Sequence, residues 1–365
     1  MRQLTRTLGV ALLLAFGWGC DSSTGPFPGR VLWRAAGSGW GTPAVDANTV
    51  FFPGRAHDLT AVDKNTGQVR WHRTETDAGD HTQGRTAVVA QNVVAFGDLA
   101  IHAYDRGSGS AAWTFGVVEG TMPGLLGLTT DGASIYAGSP FGWVYAIDAS
   151  NGGARWSRRL PSDTLAWMSH PQVSQGRVYV CVTHKSNPYS GSVAAFDAAT
   201  GVFLWERRFP AHAGSNPAGC YETVAVVPGG VTAGSDDGYM YGIDGATGTL
   251  QWMLAPAGDS PVLISSDSVV FAGTPAGFVR ALRSTSGAEL WSTTDDEFGS
   301  IVYPMATDGT QVYAVYAGFQ LAAFDATTGA RLWYDRSPEY VYTPAVDDDR
   351  LYVGGLHGLY AIQTR

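Results

Sequence analysis

A repeated turn motif constrains the fold of this chain more than any other feature. Seven times, an Asp-type turn is followed four residues later by Gly and four residues after that by Trp. Only the sixth copy departs, with Arg283 in place of the Asp. Successive Trp residues stand 39 to 49 positions apart, and a repeat of this length is typical of propellers and solenoids. The seven strings are AVDKNTGQVRW, AYDRGSGSAAW, AIDASNGGARW, AFDAATGVFLW, GIDGATGTLQW, ALRSTSGAELW and AFDATTGARLW.

Each copy of the repeat predicts one small antiparallel sheet. Two apolar runs that alternate with period two precede the turn, as in TPAVDDDRLYVGGLHGLYAI, and this alternation is typical of half-buried strands. The Asp can accept backbone hydrogen bonds, and Gly supplies the positive φ that a tight hairpin requires. Trp on the outgoing strand is suited to fill the space between neighbouring sheets. A sheet this small cannot bury its own faces, so we predict radial stacking.

The two ends of the chain each carry half of a further unit. The string RVLW ends at Trp33, and GLYAIQTR stops where a turn and a Trp strand should follow. We therefore predict an all-β, eight-bladed β-propeller of four-stranded antiparallel blades over residues 31–365. Its ring is closed by an N-terminal outer strand that pairs with the C-terminal strands. The predicted structural tryptophans are Trp33, Trp71, Trp113, Trp156, Trp205, Trp252, Trp291 and Trp333.

This turn-and-Trp repeat resembles that of the quinoprotein-type propellers, named after enzymes that use pyrroloquinoline quinone (PQQ). Within that superfamily, the chain is most similar in length, repeat number and N-terminus to the BamB family of outer-membrane assembly lipoproteins. The resemblance implies a non-enzymatic scaffold of the cell envelope, without a cofactor. Its expected partners are envelope proteins such as a β-barrel assembly complex.

The N-terminus has the features of an export signal. Arg2 and Arg6 precede an apolar run from Leu8 to Trp18, which is too short to span a bilayer but suits a secretory signal. A small residue, Cys20 and a Pro/Gly-rich stretch follow, and this order resembles a bacterial lipoprotein signal. The resemblance implies a signal peptide over 1–19, lipidation of Cys20, a tether over 20–30, and anchoring to the outer rather than the inner membrane, facing the periplasm. An ordinary cleaved signal peptide is the alternative.

The charge balance restricts the possible partners. The formal net charge is −9 and only 15% of residues are charged. An acidic chain is disfavoured as a partner for nucleic acid or for an anionic lipid surface. We therefore expect no nucleic-acid binding, and membrane contact through the lipid anchor only.

Irregular sequence is concentrated on one predicted face of the disc. With strands lettered A to D from the axis outward, the D–A and B–C loops share this side, named here the irregular face. Its loops vary in length, whereas the C–D turns are nearly uniform, and such variation suggests a binding face. The candidate binding residues are Trp40, Arg85, Trp167, His170, Tyr221, Glu222, Tyr303 and Tyr342.

Cys181 and Cys220 are candidates for a disulfide bond. The predicted strands place them on the irregular face in neighbouring blades, so a bond is plausible in an oxidising compartment. Two independent buried thiols are the alternative.

No motif for catalysis or metal binding is evident. Glu222, Asp236 and Asp237 could bind a hard cation, but solvated loop carboxylates are the simpler interpretation, and the histidines lack metal-site spacing. The adjacent cysteines that ring the PQQ site in the quinoprotein dehydrogenases are also missing from the sequence. We expect no catalytic, cofactor or metal site. Two alternatives to the scaffold stay open: a glycan- or ligand-binding propeller, and a quinoprotein-type oxidoreductase.

Overall fold

A computed structural model describes most of the chain and consists of short antiparallel sheets. The described residues are 28–37, 41–54, 58–74, 88–90, 93–97, 100–116, 126–162, 166–185, 189–210, 212, 219–220, 224–255, 261–274, 276–294, 301, 305–317, 320–335, 340 and 343–365. Within these ranges 33 strands form eight sheets, and no helix is long and apolar enough to cross a membrane.

Seven sheets follow one another along the chain, and we call them the first to seventh blades. The first three contain β2 (Ala44–Val45), β3 (Thr49–Pro53), β4 (Asp58–Asp63) and β5 (Val69–Thr74); β6 (Val88–Ala90), β7 (Val93–Gly97), β8 (Ala100–Asp105) and β9 (Ala111–Gly116); and β10 (Leu126–Thr130), β11 (Ser134–Gly138), β12 (Trp143–Asp148) and β13 (Ala154–Arg159). The fourth contains β14 (Trp167–Met168), β15 (Gln172–Ser174), β16 (Arg177–His184), β17 (Ser190–Asp197) and β18 (Phe203–Arg208).

The last three blades return to four strands each. They contain β19 (Ala225–Val227), β20 (Gly230–Gly234), β21 (Met240–Asp244) and β22 (Leu250–Leu254); β23 (Val262–Ser266), β24 (Val269–Gly273), β25 (Phe278–Arg283) and β26 (Glu289–Thr294); and β27 (Ala306–Thr307), β28 (Gln311–Val315), β29 (Leu321–Asp325) and β30 (Arg331–Asp335).

The remaining sheet combines the two ends of the described chain, and we call it the composite sheet. Its strands are β1 (Val31–Ala36), β31 (Ala345–Asp347), β32 (Arg350–Gly355) and β33 (Gly358–Gln363), in the order β1-β33-β32-β31. β1 pairs antiparallel with β33, and no turn within the described residues joins these two strands.

The prediction of eight equivalent four-stranded blades is therefore wrong. Seven blades are built from continuous chain, whereas in the composite sheet β1 and β33 come from distant parts of the chain and are joined by strand pairing without a turn among the described residues. The fourth blade also differs, because β14 and β15 both pair with β16. Pro171 lies between β14 and β15 and cannot donate a backbone hydrogen bond, so the inner strand is interrupted there and continues as two short strands.

The repeated turn is closed in the way that its residues predict. In the first blade, Asp63 Oδ1 accepts the backbone N–H groups of Asn65 and Thr66 at 2.9 and 3.0 Å. Gly67 has a φ of +71° and donates its N–H to the Asp63 carbonyl at 2.9 Å. The sixth blade keeps that backbone bond without the carboxylate, since Gly287 N donates to Arg283 O at 2.9 Å.

Each repeat Trp lies against the turn of the following sheet. The Trp33 ring covers Gly67, where an added Cβ would come within 2.5 Å of the indole. Trp33 Nε1 donates to the Lys64 carbonyl at 3.1 Å, so the ring is fixed by shape and by one hydrogen bond. Six other tryptophans repeat this bond to the next sheet: Trp71, Trp113, Trp156, Trp205, Trp252 and Trp291.

A small residue faces every repeat Trp across the strand pair. In the first blade Ala61 pairs with Trp71, and in the fifth blade Gly242 pairs with Trp252. A Cβ on Gly242 would lie 2.0 Å from the indole nitrogen, so little space exists there for a larger side chain. Large apolar side chains such as Phe51 and Phe271 fill the layers between sheets and are fully buried.

The composite sheet reproduces this turn with two separate pieces of chain. Gly29, with a φ of +84°, donates its N–H to the Gln363 carbonyl at 2.8 Å, and Gln363 N donates to Arg30 O at 2.9 Å. Gly29 also lies under Trp333, whose Cε3 would be 3.0 Å from an added Cβ. Gly29 and Gln363 thus occupy the Gly and Asp places of the repeat, and we call this meeting point of the two chain segments the junction.

One hydrogen bond of the repeat is missing at this junction. Trp333 Nε1 is buried, and no residue in the described part of the chain accepts a hydrogen bond from it. The carbonyl in the corresponding place belongs to Thr364, and it accepts a bond from Gln311 Nε2 at 3.0 Å instead. The junction is therefore packed like a normal turn but has one less hydrogen bond to hold its indole.

Candidate functional site

The fourth blade extends beyond the others on the irregular face, and this extension is the candidate functional site. β16 and β17 have eight residues each, whereas their counterparts in the other sheets have five or six. The extra residues of β16 pair with β14, with Trp167 opposite Thr183 and Met168 opposite Val182. The interrupted inner strand therefore supports an elongated hairpin.

The side chains of Trp167 and Lys185 form an aromatic and cationic platform on this extension, named here the fourth-blade platform. Lys185 Nζ lies 3.5 Å from the centroid of the Trp167 ring, within the range of a cation–π contact. Partial burial of the ammonium group lowers the pKa of Lys185. Trp167 stays partly exposed, so the indole and the ammonium group are both accessible to a partner.

Beneath the platform, the hairpin is held by a buried polar cluster. His184 Nε2 lies 2.8 Å from Glu206 Oε1 and 2.9 Å from Ser192 Oγ. Ser192 Oγ donates to Glu206 Oε1 at 2.8 Å and Ser162 Oγ to Oε2 at 2.6 Å. Burial by itself would raise the pKa of Glu206, but these hydrogen bonds outweigh it and lower that pKa to about 2.

This cluster does not have the geometry of a nucleophilic triad. In such a triad the carboxylate and the serine contact opposite nitrogens of the imidazole ring, whereas Ser192 and Glu206 here both contact Nε2 of His184. Ser192 is also fully buried and so is closed to a substrate. The cluster therefore positions the hairpin.

A disulfide bond ties the extension to the fifth blade. Cys181 of β16 is bonded to Cys220, which precedes β19. Cys220 N also donates to Thr183 Oγ1 at 2.9 Å. The covalent bond and the hydrogen bond together fix the segment that enters the fifth blade against the hairpin.

His170 lies between β14 and β15 and contacts the third blade. A Cβ on Gly127 would lie 1.5 Å from His170 Cδ2, so the ring packs directly on that glycine of the third blade. Burial lowers the pKa of His170 to about 4, and the imidazole is neutral at neutral pH. Its role in this position is to pack the third blade against the fourth.

The structure does not test the other predicted binding residues. Of the eight, only Trp167 and His170 are described. The six that lie outside the described residues are Trp40, Arg85, Tyr221, Glu222, Tyr303 and Tyr342.

Of the acidic residues predicted to be able to bind a cation, Asp236 and Asp237 are described and Glu222 lies outside the described residues. Asp237 Oδ1 accepts a hydrogen bond from its neighbour Ser235 and another, at 3.3 Å, from Tyr239 N, so it serves its own turn. Among the described residues, no group of three His, Cys, Asp or Glu side chains is arranged to hold a metal ion.

Sequence reasoning missed Glu206 and Lys185. Glu206 could have been found by comparing the residues that directly follow the repeat tryptophans, because it is the only carboxylate among them. Those residues are Arg34, His72, Thr114, Ser157, Glu206, Met253, Ser292 and Tyr334. For Lys185 no such signal exists, since its contact depends on the added strand β14.

The fold and the repeat define a PQQ-like β-propeller. The family model described as "Outer membrane protein assembly factor BamB" matches residues 24–101, 97–255 and 186–364. The chain belongs to this family.

Individual relatives agree with that assignment at low identity. The chain is 27% identical over 282 residues to the BamB of Moranella endobia, covering 71% of this chain and 68% of that protein. It is 26% identical over 353 residues to the BamB of Yersinia pestis, covering 91% and 77%. The crystal structure of BamB from Moraxella catarrhalis superposes with a TM-score of 0.69 at 17% identity, over 92% of this chain and 99% of that one.

An enzyme also appears among the relatives. The polyvinylalcohol dehydrogenase of a Sphingopyxis strain is 24% identical over 288 residues, which cover 68% of this chain but only 40% of the enzyme.

Proposed function

We propose that this protein is a non-enzymatic scaffold of the cell envelope that takes part in the assembly of outer-membrane proteins. Membership of the BamB family is the observation that carries this proposal. The fourth-blade platform supports it, because Trp is among the residues that dominate binding energy at protein interfaces. The disulfide and the cluster around Glu206 support the platform from below, so it is preorganised for a partner.

The proposal includes the location of the protein. Residues 1–19 serve as the export signal, Cys20 carries the lipid, and residues 20–30 tether the propeller to the periplasmic side of the outer membrane. Replacing Cys20 by Ser should release the protein from the membrane fraction into the soluble periplasm. Retention of the C20S protein in the outer membrane would contradict a lipid anchor.

Affinity capture tests the scaffold. The tagged protein is expected to capture outer-membrane assembly proteins from detergent-solubilised envelopes, and Trp167→Ala should weaken this capture about tenfold or more. Leu290→Ala is the matched control, because it also truncates an exposed apolar side chain but lies on the sixth blade. Equal capture by the W167A and parent proteins would contradict the platform, and capture of no assembly protein would contradict the scaffold.

A quinoprotein-type oxidoreductase is the second candidate, favoured by the similarity to the dehydrogenase of Sphingopyxis. Cys181 and Cys220 stand 39 positions apart and bond to each other, so they cannot form the ring of adjacent cysteines that the resemblance would require. Incubation with PQQ and calcium should give neither stoichiometric quinone binding nor dye-linked oxidation of alcohols. Tight binding with turnover would favour the enzyme instead.

A further inference from the structure

A cavity of about 230 Å³ lies between the composite sheet and the first blade. Its walls come from the end of β1 and from β3, β4 and β5, at some distance along the chain from the fourth-blade platform. Most of the lining is apolar or glycine, with one carboxylate, one hydroxyl and one imidazole. The lining residues are Ala36, Gly37, Phe52, Gly54, Asp58, Thr60, Val69 and His72.

One oxygen of the carboxylate in this cavity lacks a hydrogen-bond donor among the described residues. Asp58 Oδ1 is buried, and no described residue donates to it, although buried polar atoms are nearly always paired. The His72 imidazole lies close by, but its Nε2 is 3.8 Å from this oxygen, too far for a hydrogen bond. Both ring nitrogens of His72 instead contact hydroxyl groups, Nδ1 that of Thr60 at 2.9 Å and Nε2 that of Thr74 at 3.2 Å.

The carboxylate is also not a feature of the repeat. Asp58 stands three residues before Ala61, the small residue that pairs with the blade's Trp. No other sheet has an acid at this position. The corresponding residues are Ala100, Trp143, Ser192, Tyr239, Phe278, Gln320 and Gly358. Neither the turn nor the Trp contact therefore explains why this blade has a partly buried acid.

We infer that this cavity binds a primary ammonium group on an unbranched alkyl stem. The ammonium group would donate to the Asp58 carboxylate, whose side chain is 24% exposed, and a charge-assisted bond of this kind is stronger than a neutral one. The stem would lie against Phe52 and Val69, and the Phe52 ring offers the face that attracts cations. A free alkylamine and a lysine side chain of a partner share this chemistry.

An NMR titration of the full-length protein with n-butylammonium at pH 8 tests the site. We expect saturable shifts of the Gly37 and Gly54 amide signals, because both residues line the cavity. The uncharged comparison ligand n-butanol should bind about tenfold more weakly or not at all, since it cannot form the charge-assisted bond. Absence of saturable shifts with n-butylammonium, or equal binding of n-butanol, would overturn the inference.

Two variants locate the ammonium group. Asp58→Asn should weaken n-butylammonium binding about tenfold or more, whereas Glu289→Gln, an equal change of charge on the outer strand of the sixth blade, should leave it within about twofold. Unchanged affinity in D58N would refute the assignment even if the wild-type protein binds. Should D58N fail to fold, the comparison of butylammonium with butanol on the wild-type protein still decides.

A third ligand distinguishes the two sources of the group. Nα-acetyl-lysine methylamide is expected to bind at least as tightly as n-butylammonium if the natural ligand is a lysine side chain. If it binds much more weakly while n-butylammonium binds, the ligand is a free alkylamine. Binding of the fourth-blade partner is measured separately, so failure here leaves the proposed scaffold untouched.

Discussion

The turn of the first blade and the junction of the composite sheet achieve the same packing by different means. In the first blade, Asp63 and Gly67 belong to one continuous turn; in the composite sheet, Gln363 and Gly29 come from opposite ends of the chain. Both glycines have positive φ and both lie under a Trp. The difference shows that the repeat needs a Gly in a fixed place under the indole more than it needs a covalent turn.

Removing the N-terminal half of the junction should have the largest effect. Deletion of residues 21–33 removes Gly29 and Trp33 and exposes the edge of β33. We expect a loss of several kcal/mol and aggregation, since truncation of a buried Trp alone costs about 3–5 kcal/mol. Thermal unfolding measures the loss. Deletion of residues 21–27 alone, which keeps Gly29 and β1, is the control and should leave the melting temperature unchanged. A stable, soluble 21–33 deletion would show that the junction contributes little.

Replacing glycines by alanine should show how much the contact with the indole contributes to stability in each of the two turns. Gly67→Ala combines a positive φ with a contact of 2.5 Å to Trp33, and Gly29→Ala combines it with a looser contact of 3.0 Å to Trp333. Gly132→Ala is the control, with a φ of +90° and nothing within 4 Å, so it reports backbone strain of about 1 kcal/mol alone. Chemical denaturation should give G67A as the least stable variant, then G29A, then G132A. Equal losses for all three would mean that the indole contact contributes nothing.

A smaller effect should distinguish the two indoles. Trp71→Phe removes a ring and the bond from Nε1 to the Arg106 carbonyl at 3.0 Å, whereas Trp333 Nε1 has no partner to lose. W71F should therefore be more destabilising than W333F by about 0.5–1.5 kcal/mol, the net contribution of one hydrogen bond. If W333F costs as much or more, the missing hydrogen bond does not distinguish the junction.

The smallest effect concerns acid. Arg70, with the backbone N–H groups of Asn65 and Thr66, lowers the pKa of Asp63 from 3.8 to about 2. Because this pKa is lower in the folded state, the charged group favours folding above about pH 4, and the contribution is lost as the pH falls towards 2. Asp63→Asn should thus lower stability at pH 7, and its difference from the parent should vanish near pH 2. Gln363→Asn, at the uncharged residue that takes the place of the Asp in the junction, should give a difference that does not change over this range.

The sequence was sufficient for those features that depend on residues close together in the chain. The Asp–Gly turn and the positions of the tryptophans follow from local backbone chemistry and from the period of the repeat. The role of Gly29 does not follow from the repeat, because its partner Gln363 is distant in sequence and the two do not form a continuous motif. The prediction of four strands in every blade is wrong for the fourth blade, because the missing N–H of Pro171 splits its inner strand in two.

Prediction of the site was less successful. Trp167 is a candidate because it is an aromatic residue in an irregular loop, and its role in binding stays a prediction; its contact with Lys185 depends on β14, which no periodicity indicated. His170 belongs to a residue type that is common in binding sites, and in this structure its ring packs on Gly127. Composition predicts which side chains can bind a partner, whereas burial, which decides whether they do, depends on neighbours that are distant in sequence.

The junction has a consequence for how this chain could be rearranged. Gln363, Thr364, Arg365, Pro28 and Gly29 fill the same five places as Asp63 to Gly67 in the first blade. A circularly permuted gene that joins Arg365 directly to Pro28 and opens the chain between Asn65 and Thr66 would encode the same contacts in a new order. The starting point of the polypeptide is thus separable from the arrangement of its sheets, and any of the uniform turns could serve as the place where the chain begins.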